Sequence, residues 1–305
     1  MDQHILALGN FDGLHRGHIA VLREALSVAA RKRMRPVVLL FDRHPKEVLT
    51  GTCPPMLMTP EDKARRLKHM GFRVETVSFE GLQNLSPDAF LAHVQRNLAP
   101  AALCCGRNYR FGANAAGTVD TLRMLCPARN MEVHVVEDAI VGGRPVSSTR
   151  IRALLESGDV PGANLLLGRP FSFAFPVVDG DKRGRVLGFP TLNQWFPPKF
   201  VHPRHGVYAS KVCLKQVWYP AVTNLGVRPT IGTDSFRSET HIPGFSGDLY
   251  GQTVEVHLLE FLRPEADFGS LDALKTQIAA DTAAAKEVFE RTPNEREAED
   301  QSRLF

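Results

Sequence analysis

The sequence predicts an α/β domain followed by an all-β domain, and three observations carry this reading. Apolar runs of strand length alternate with segments of helical period over the first 165 residues or so. Beyond about residue 168, runs rich in Val, Phe and Tyr alternate with Gly/Pro turns instead. The length of 305 residues exceeds one ordinary domain and suits two. The spacing predicts domains at 1–165 and 166–290, with a polar tail at 291–305 that lacks any period.

In the first half, Ile5–Leu8 reads as a short buried strand, and Ile19, Leu22, Leu26 and Ala29 then recur at helical spacing. Val37–Phe41 is a second strand. Thr59-Pro60-Glu61-Asp62 is a helix start, with a hydroxyl at the N-cap, proline at N1 and acids in the first turn; Gly71 closes that helix. Val74–Phe79, Ala101–Cys105 and Val133–Val136 read as strands, and helices open at Ser86-Pro87-Asp88, at Val119 and at Ser148 or Thr149. Such alternation implies a parallel sheet covered on both faces. In the second half the strands are Phe171–Val178, Val207–Val212, Val217–Val222 and Val254–Phe261, an antiparallel barrel or sandwich. A helix with Leu271, Leu274, Ile278 and Val288 on one stripe closes it.

Composition narrows the function classes. Hydrophobic residues make up 43% and charged residues 23%, which supports packed cores and excludes disorder as a whole. A net charge of +4, concentrated in the first half, suits small anionic ligands and is too mild for a nucleic-acid binder. No apolar run approaches a membrane span, and the four apolar residues after the N-terminus make no signal peptide. Five cysteines with no C-x-x-C pair make neither a disulfide framework nor a zinc site. The expectation is a cytoplasmic protein without membrane or nucleic-acid partners.

The sharpest motif is Gly9-Asn10-Phe11-Asp12-Gly13-Leu14-His15-Arg16-Gly17-His18, between the first strand and the first helix. Ligands of open parallel sheets bind at the strands' carboxyl ends, where helix N-termini favour phosphate. Asn10, Phe11, Gly13 and Gly17 would form the loop, the glycines letting phosphate approach closely, while His15 and His18 both donate to one phosphoryl group. Ser147-Ser148-Thr149-Arg150-Ile151-Arg152 adds capping hydroxyls and two arginines, together an anion clamp. Two decoys fail: Gly112–Gly117 has Walker spacing without the Lys, and His202/His205 flank a proline with no third ligand. In the second domain a basic glycine loop containing Gly184 and Arg185 leads to Thr191 and Asn193, oxygen donors suited to Mg²⁺ beside a triphosphate. Glu239, on a strand facing a ligand cavity, would take a proton from an alcohol.

These residues resemble one family over nearly all of residues 5–290: the bacterial bifunctional riboflavin kinase/FMN adenylyltransferases, or FAD synthetases. The resemblance rests on GNFDGLHRGH, FDRHPKEVL (41–49), CGRNYRFGANAAGTVDTL (105–122), SSTRIR (147–152), GRVLGFPTLN (184–193), HGVYA (205–209), NLGVRPTIG (224–232), ETHIPGFSGDLYG (239–251) and FLRPEADFGSLDALKTQIAAD (261–281). It implies a Rossmann-like nucleotidyltransferase domain, then an antiparallel β-barrel with a terminal helix. The second domain would phosphorylate riboflavin with ATP, with Glu239 as base and Mg²⁺ at Thr191 and Asn193. The first would join the FMN so formed to AMP from a second ATP, using His15 and His18, with Ser148, Thr149 and Arg152 on the pyrophosphate and Asn108 on the flavin. Riboflavin, FMN and ATP are thus the implied small-molecule partners. Arg43, Asp179 and Pro243-Gly244 depart from the family's usual residues, none at an implied catalytic group. A flavin-binding regulator without turnover would lack this set of polar groups, and an RNA-binding protein would show a basic aromatic surface pattern that this chain, at +4, does not carry.

Overall fold

A computed structural model describes residues 3–180, 189–230 and 233–292, apart from the side chains of 228–230 and 233–235. The chain forms two compact units, residues 1–148 and 149–305.

In the first unit, five parallel strands stand in the order β3-β2-β1-β4-β5. They are β1 (His4–Leu8), β2 (Arg35–Phe41), β3 (Arg73–Val77), β4 (Ala102–Gly106) and β5 (Glu132–Val136). The helices between them are α1 (Arg16–Lys32), α2 (Pro45–Thr50), α3 (Pro60–His69), α4 (Pro87–Leu98) and α5 (Val119–Leu125). Successive residues of β1 feed two separate cores: Ile5 and Ala7 pack with Leu22, Ala25 and Leu67, and Leu6 and Leu8 with Leu91, Leu103 and Leu122. A strand buried on both faces explains the unbroken apolar runs seen in the sequence. Thr59 and Ser86 cap α3 and α4 through their hydroxyls, as expected. Cys104, Cys105 and Cys126 are fully buried, and burial pushes their thiols up to about 12, 12 and 11. They act as small hydrophobes.

The unit's geometry singles out one crevice. Chain order reverses between β1 and its neighbour β4, so the loops leaving these strands diverge at the sheet's carboxyl edge. The loop 9–15 leaves β1, and the loop carrying Asn108 leaves β4. A two-residue-strand hairpin, β6 (Ile140–Val141) and β7 (Arg144–Pro145), turns on Gly142 and Gly143 and leads to Ser148.

The second unit begins with α6 (Ser148–Ser157), bar its first residue, and α7 (Val160–Leu167). Helix α7 was not anticipated because Pro161 and Gly162 sit inside it; Pro161 occupies the first turn and Asp159 caps Gly162 N at 2.9 Å. Asn164 fixes it to the sheet, donating to Leu258 O at 3.0 Å and accepting from Phe171 N at 2.7 Å. Six antiparallel strands follow in the order β8-β13-β10-β11-β12-β9. They are β8 (Phe171–Pro176), β9 (Thr191–Trp195), β10 (Gly206–Leu214), β11 (Val217–Thr230), β12 (Thr233–His241) and β13 (Thr253–Arg263). The sheet curls into a half-barrel, with an isolated bridge from Val178 to Asn193 joining its two ends. Helix α8 (Leu271–Arg291) covers one face through Ala285 and Val288, packed on Val207, Ala209, Val222 and Leu259. The expected polar tail from 293 onward lies outside the described residues.

Gln194 is fully buried in this half-barrel, and its Nε2 donates to Phe175 O at 2.6 Å and Val254 O at 2.8 Å. It supplies cross-links between β9 and the β8/β13 pair that no ladder provides. Gln194→Leu removes both donors, and urea unfolding should show a loss of about 1–3 kcal/mol. An unchanged urea midpoint would contradict this role.

Candidate active sites

The first site is built on the loop between β1 and α1. Phe11, Gly13 and Leu14 all take positive φ, at 52°, 83° and 46°. Two non-glycine residues in the left-handed region are costly, and both rings and branches are held by burial, Phe11 at 1% exposure and Leu14 at 3%. The Phe11 side chain is therefore core, edge-on to His18 at 5.4 Å, and only its backbone is available to a nucleotide. Asp12 accepts Leu57 N on Oδ1 at 3.0 Å, and Ser148 Oγ donates to Asp12 O at 2.9 Å. These bonds fasten the loop from both sides and bring Ser148 beside it, as the motif reading expected. Thr149 and Arg152 occupy the first turn and a half of α6, Thr149 exposed and Arg152 half-buried.

His15 is the N-cap of α1: its Nδ1 accepts the backbone N–H of His18 at 3.3 Å. An imidazole nitrogen that accepts carries no proton, so His15 holds its proton on Nε2. Its ring stacks on that of His18, with centroids 3.6 Å apart and planes 17° from parallel. A Cβ on Gly17 would lie 3.2 Å from the His15 ring. Gly17 thus makes room for an imidazole of the protein, which differs from its expected role of admitting phosphate. The local reason is that a histidine cap folds its own ring back over the first helical turn.

His18 Nδ1 is buried and has no hydrogen-bond partner among the described residues. Burial first, then the neighbouring His15 and Lys63, hold its pKa well below the ordinary 6.5. Of the donors expected from this pair, His15 thus retains Nε2–H alone, and His18 is held short of a second proton. A cation that sequence reasoning missed also meets the loop: Lys63 of α3 donates its Nζ to Asn10 O at 3.0 Å. Asn108 is exposed on the loop after β4, across the crevice from the β1 loop. The glycines of 112–117 serve the fold, since a Cβ on Gly117 would strike the Phe111 ring at 2.6 Å.

The second site is built on adjacent strands. Glu239 of β12 faces Asn193 of β9 on one side and Asn224 of β11 on the other, and His241 faces Thr191. Residues opposite one another across a ladder share a face, so Thr191, Asn193 and Glu239 present hydroxyl, amide and carboxylate oxygens side by side. Asn193 is 7% exposed and fits tightly: a Cβ on Gly180 would meet its Nδ2 at 2.2 Å. Glu239 is ion-paired with Arg237, whose guanidinium lies 5.6 Å over the Trp195 ring. Asn224 donates to Glu265 Oε1 at 2.9 Å, and its own Oδ1 is buried without a partner among the described residues. Arg237, Asn224 and Glu265 were not singled out from sequence, although Arg237 and Glu239 are two apart on a strand and so necessarily share a face.

A cavity of about 250 Å³ opens beside Thr191, lined also by Leu192, Thr240, Ile242, Phe245 and Tyr250. Thr191 lines this cavity, whereas Glu239 and Asn193 are not among its lining residues. The oxygen donors fit a hard divalent cation that completes its shell with phosphates and water. No group of three or more His, Cys, Asp or Glu able to enclose a metal occurs among the described residues. Gly184 and Arg185 lie outside the described residues. His202 stacks on Phe236 at 4.2 Å, which accounts for it as a packed ring.

A parallel α/β unit with an anion-type loop at its switch point, joined to a β unit that aligns oxygen donors next to a cavity, defines an enzyme of phosphate-group transfer. The chain belongs to the bifunctional riboflavin kinase/FMN adenylyltransferase family. The FAD synthetase family model matches residues 1–150 and the riboflavin kinase model residues 167–289. The bifunctional riboflavin kinase/FMN adenylyltransferase of Listeria monocytogenes is 33% identical over 290 residues, covering 93% of this chain and 92% of the relative. The Escherichia coli K12 enzyme of the same name is 36% identical over 295 residues, with the same coverage. A solved Streptococcus pneumoniae structure described as a macrolide-efflux protein superposes with TM-score 0.85 at 30% identity, covering 96% of this chain and 95% of that one. Among the described residues here no helix is long and apolar enough to cross a membrane.

The neutral state of His18 is directly measurable. Its imidazole NMR resonances should stay fixed as the pH falls from neutrality through 6.5, and stability should decline as pH falls below 6.5, because there only the unfolded chain takes up that proton. Titration of His18 with a midpoint near 6.5 would contradict the buried geometry.

Proposed function

We infer that this chain phosphorylates riboflavin to FMN and then adenylylates FMN to FAD. The family membership over 93% of the chain, with both family models matched, carries the reading. The functional boundary falls near residue 165, with adenylyl transfer before it and the kinase at 166–290. Riboflavin, FMN and ATP are the substrates, Mg²⁺ is the metal, and the cytoplasm is the compartment.

In the kinase step the riboflavin 5′-hydroxyl oxygen attacks the γ-phosphorus of ATP, and the bond to the β-phosphate oxygen breaks to leave ADP. Glu239 accepts the hydroxyl proton, and Arg237, ion-paired with it, holds the carboxylate in orientation for that transfer. Thr191 and Asn193 would hold a Mg²⁺, which when bound would supply positive charge to the phosphates. Gly184 and Arg185 of the glycine loop belong to the phosphates. The cavity beside Thr191 takes the planar ring of a substrate. In the second step an FMN phosphate oxygen attacks the α-phosphorus of ATP, and pyrophosphate leaves with the electron pair of the broken bond. This needs no protein nucleophile, only orientation and charge stabilisation. His15 offers Nε2–H, while the Asn10, Phe11 and Gly17 backbone shapes the site. His18 gains a proton when a phosphate supplies the counter-charge. Ser148, Thr149 and Arg152 hold pyrophosphate, and Asn108 contacts the flavin.

The two chemistries should separate by mutation. His18→Ala should let FMN accumulate from riboflavin and ATP while FAD formation falls; equal loss of both steps in a folded protein would overturn the two-site assignment. Glu239→Gln keeps size and hydrogen-bonding shape but cannot take the proton, so FMN formation should drop about 10²-fold or more. FAD formation from supplied FMN should be nearly unchanged. Near-normal riboflavin phosphorylation by Glu239→Gln would remove Glu239 as the base.

A further inference from the structure

Lys63 is a half-buried cation of the first unit that the account above leaves without a task. It lies on the fourth residue of α3, a helix otherwise lined by surface ion pairs such as Asp62 with Arg66 at 2.9 Å. Whereas Arg65 and Arg66 both pair with Asp62, its only hydrogen bond among the described residues is to a neutral carbonyl, Asn10 O. Asp12 acts on it electrostatically and favours its charge, yet no carboxylate among the described residues comes within ion-pair distance of it. Burial lowers its pKa from the ordinary 10.5, as expected of an ammonium partly removed from water without a contacting counter-ion. It also acts directly on His18, whose buried Nδ1 has no hydrogen-bond partner. A protein that places a poorly compensated ammonium and an unpartnered imidazole nitrogen at one strand-to-helix loop has arranged donors for an anion that arrives from outside.

We propose that Lys63 is a substrate-contacting residue of adenylyl transfer, its ammonium shared between Asn10 O and a non-bridging oxygen of the ATP phosphate under attack. The inference rests on the adenylyltransferase reading of the first unit. As the FMN phosphate oxygen bonds to the α-phosphorus, charge builds on the non-bridging oxygens and on the oxygen leaving with pyrophosphate. A fixed ammonium stabilises that charge more than it stabilises bound ATP, and takes up or releases no proton in doing so. With His15 confined to one donor and His18 neutral until phosphate binds, Lys63 supplies the standing positive charge on the loop. Its bond to Asn10 O also positions the loop, so charge and anchoring must be tested apart.

Gln at position 63 retains an amide N–H for Asn10 O but no charge, whereas Arg retains the charge. The test measures FAD formation from FMN and ATP, inhibition of that step by inorganic pyrophosphate, and FMN formation from riboflavin as an internal measure of the intact chain. For Lys63→Gln we expect kcat/KM of adenylyl transfer to fall about 10²–10³-fold, the scale for losing one preorganised charge-stabilising donor. The fall should be mainly in kcat, pyrophosphate inhibition should weaken, and riboflavin phosphorylation should be unchanged. Lys63→Arg should recover at least about tenfold of the loss, in line with a charge that is kept but reshaped. Adenylyl transfer within threefold of wild type in Lys63→Gln, or equal losses in Gln and Arg variants that unfold at the wild-type temperature, would overturn the proposal. Wild-type protein that makes no FAD from FMN and ATP would instead overturn the reading on which it rests.

Discussion

Helix α1 begins with an imidazole as its capping group, and the chemistry of the first unit follows from that choice. A serine or aspartate would satisfy the same backbone N–H, but its short side chain would leave the helix start open. His15 instead folds a ring back over the first turn, where it stacks on His18 and occupies the space above Gly17. The bond fixes the tautomer of His15, and the stack and its surroundings keep His18 short of protons. The strained backbone at Phe11 and Leu14 is held by burial against the same cluster. A site so built draws little standing charge from His18, whose burial disfavours its protonated form.

The second unit solves a different electrostatic problem with a different element. A ladder forces residues of neighbouring strands into register, so Thr191, Asn193, Glu239 and Asn224 come together from β9 and the later β11–β12 pair. Tight spacing does the positioning, as the close approach of Gly180 to Asn193 shows. The proposed base is paired with Arg237, and the amide beside it is held by Glu265. Rigid elements of this kind hold catalytic oxygens better than loops do.

Much of this was legible in the sequence, for identifiable reasons. Strands buried on both faces leave continuous apolar runs, and proline and hydroxyl caps mark helix starts, so β1, β2, β4, α3 and α4 stood out. The placement of the histidine loop between a strand and a helix followed from that grammar. Elements that break the usual patterns did not stand out: α7 carries Pro161 and Gly162, and β9 mixes Thr, Asn and Gln with Leu and Trp. Among site residues, the sequence could pair Gly17 with a phosphate but not reveal that an imidazole of the protein fills that space. Lys63 sits in a segment dense in ordinary surface charge, and only the tertiary bond to Asn10 separates it from Arg65 and Arg66. The cavity beside Thr191 is lined mainly by residues of the 184–193 and 239–251 motifs, two segments far apart in sequence that only the fold brings together.

The central claim is that one chain moves two different phosphate groups to a flavin in a fixed order. Isotopic labelling of ATP tests it directly, with riboflavin as the only flavin supplied and the flavin products separated by chromatography. Label in the γ-phosphate should appear first in FMN and then in FAD, whereas label in the α-phosphate should appear in FAD alone. Label from the α-phosphate in an FMN-sized product, or FAD without label from the γ-phosphate, would contradict the account.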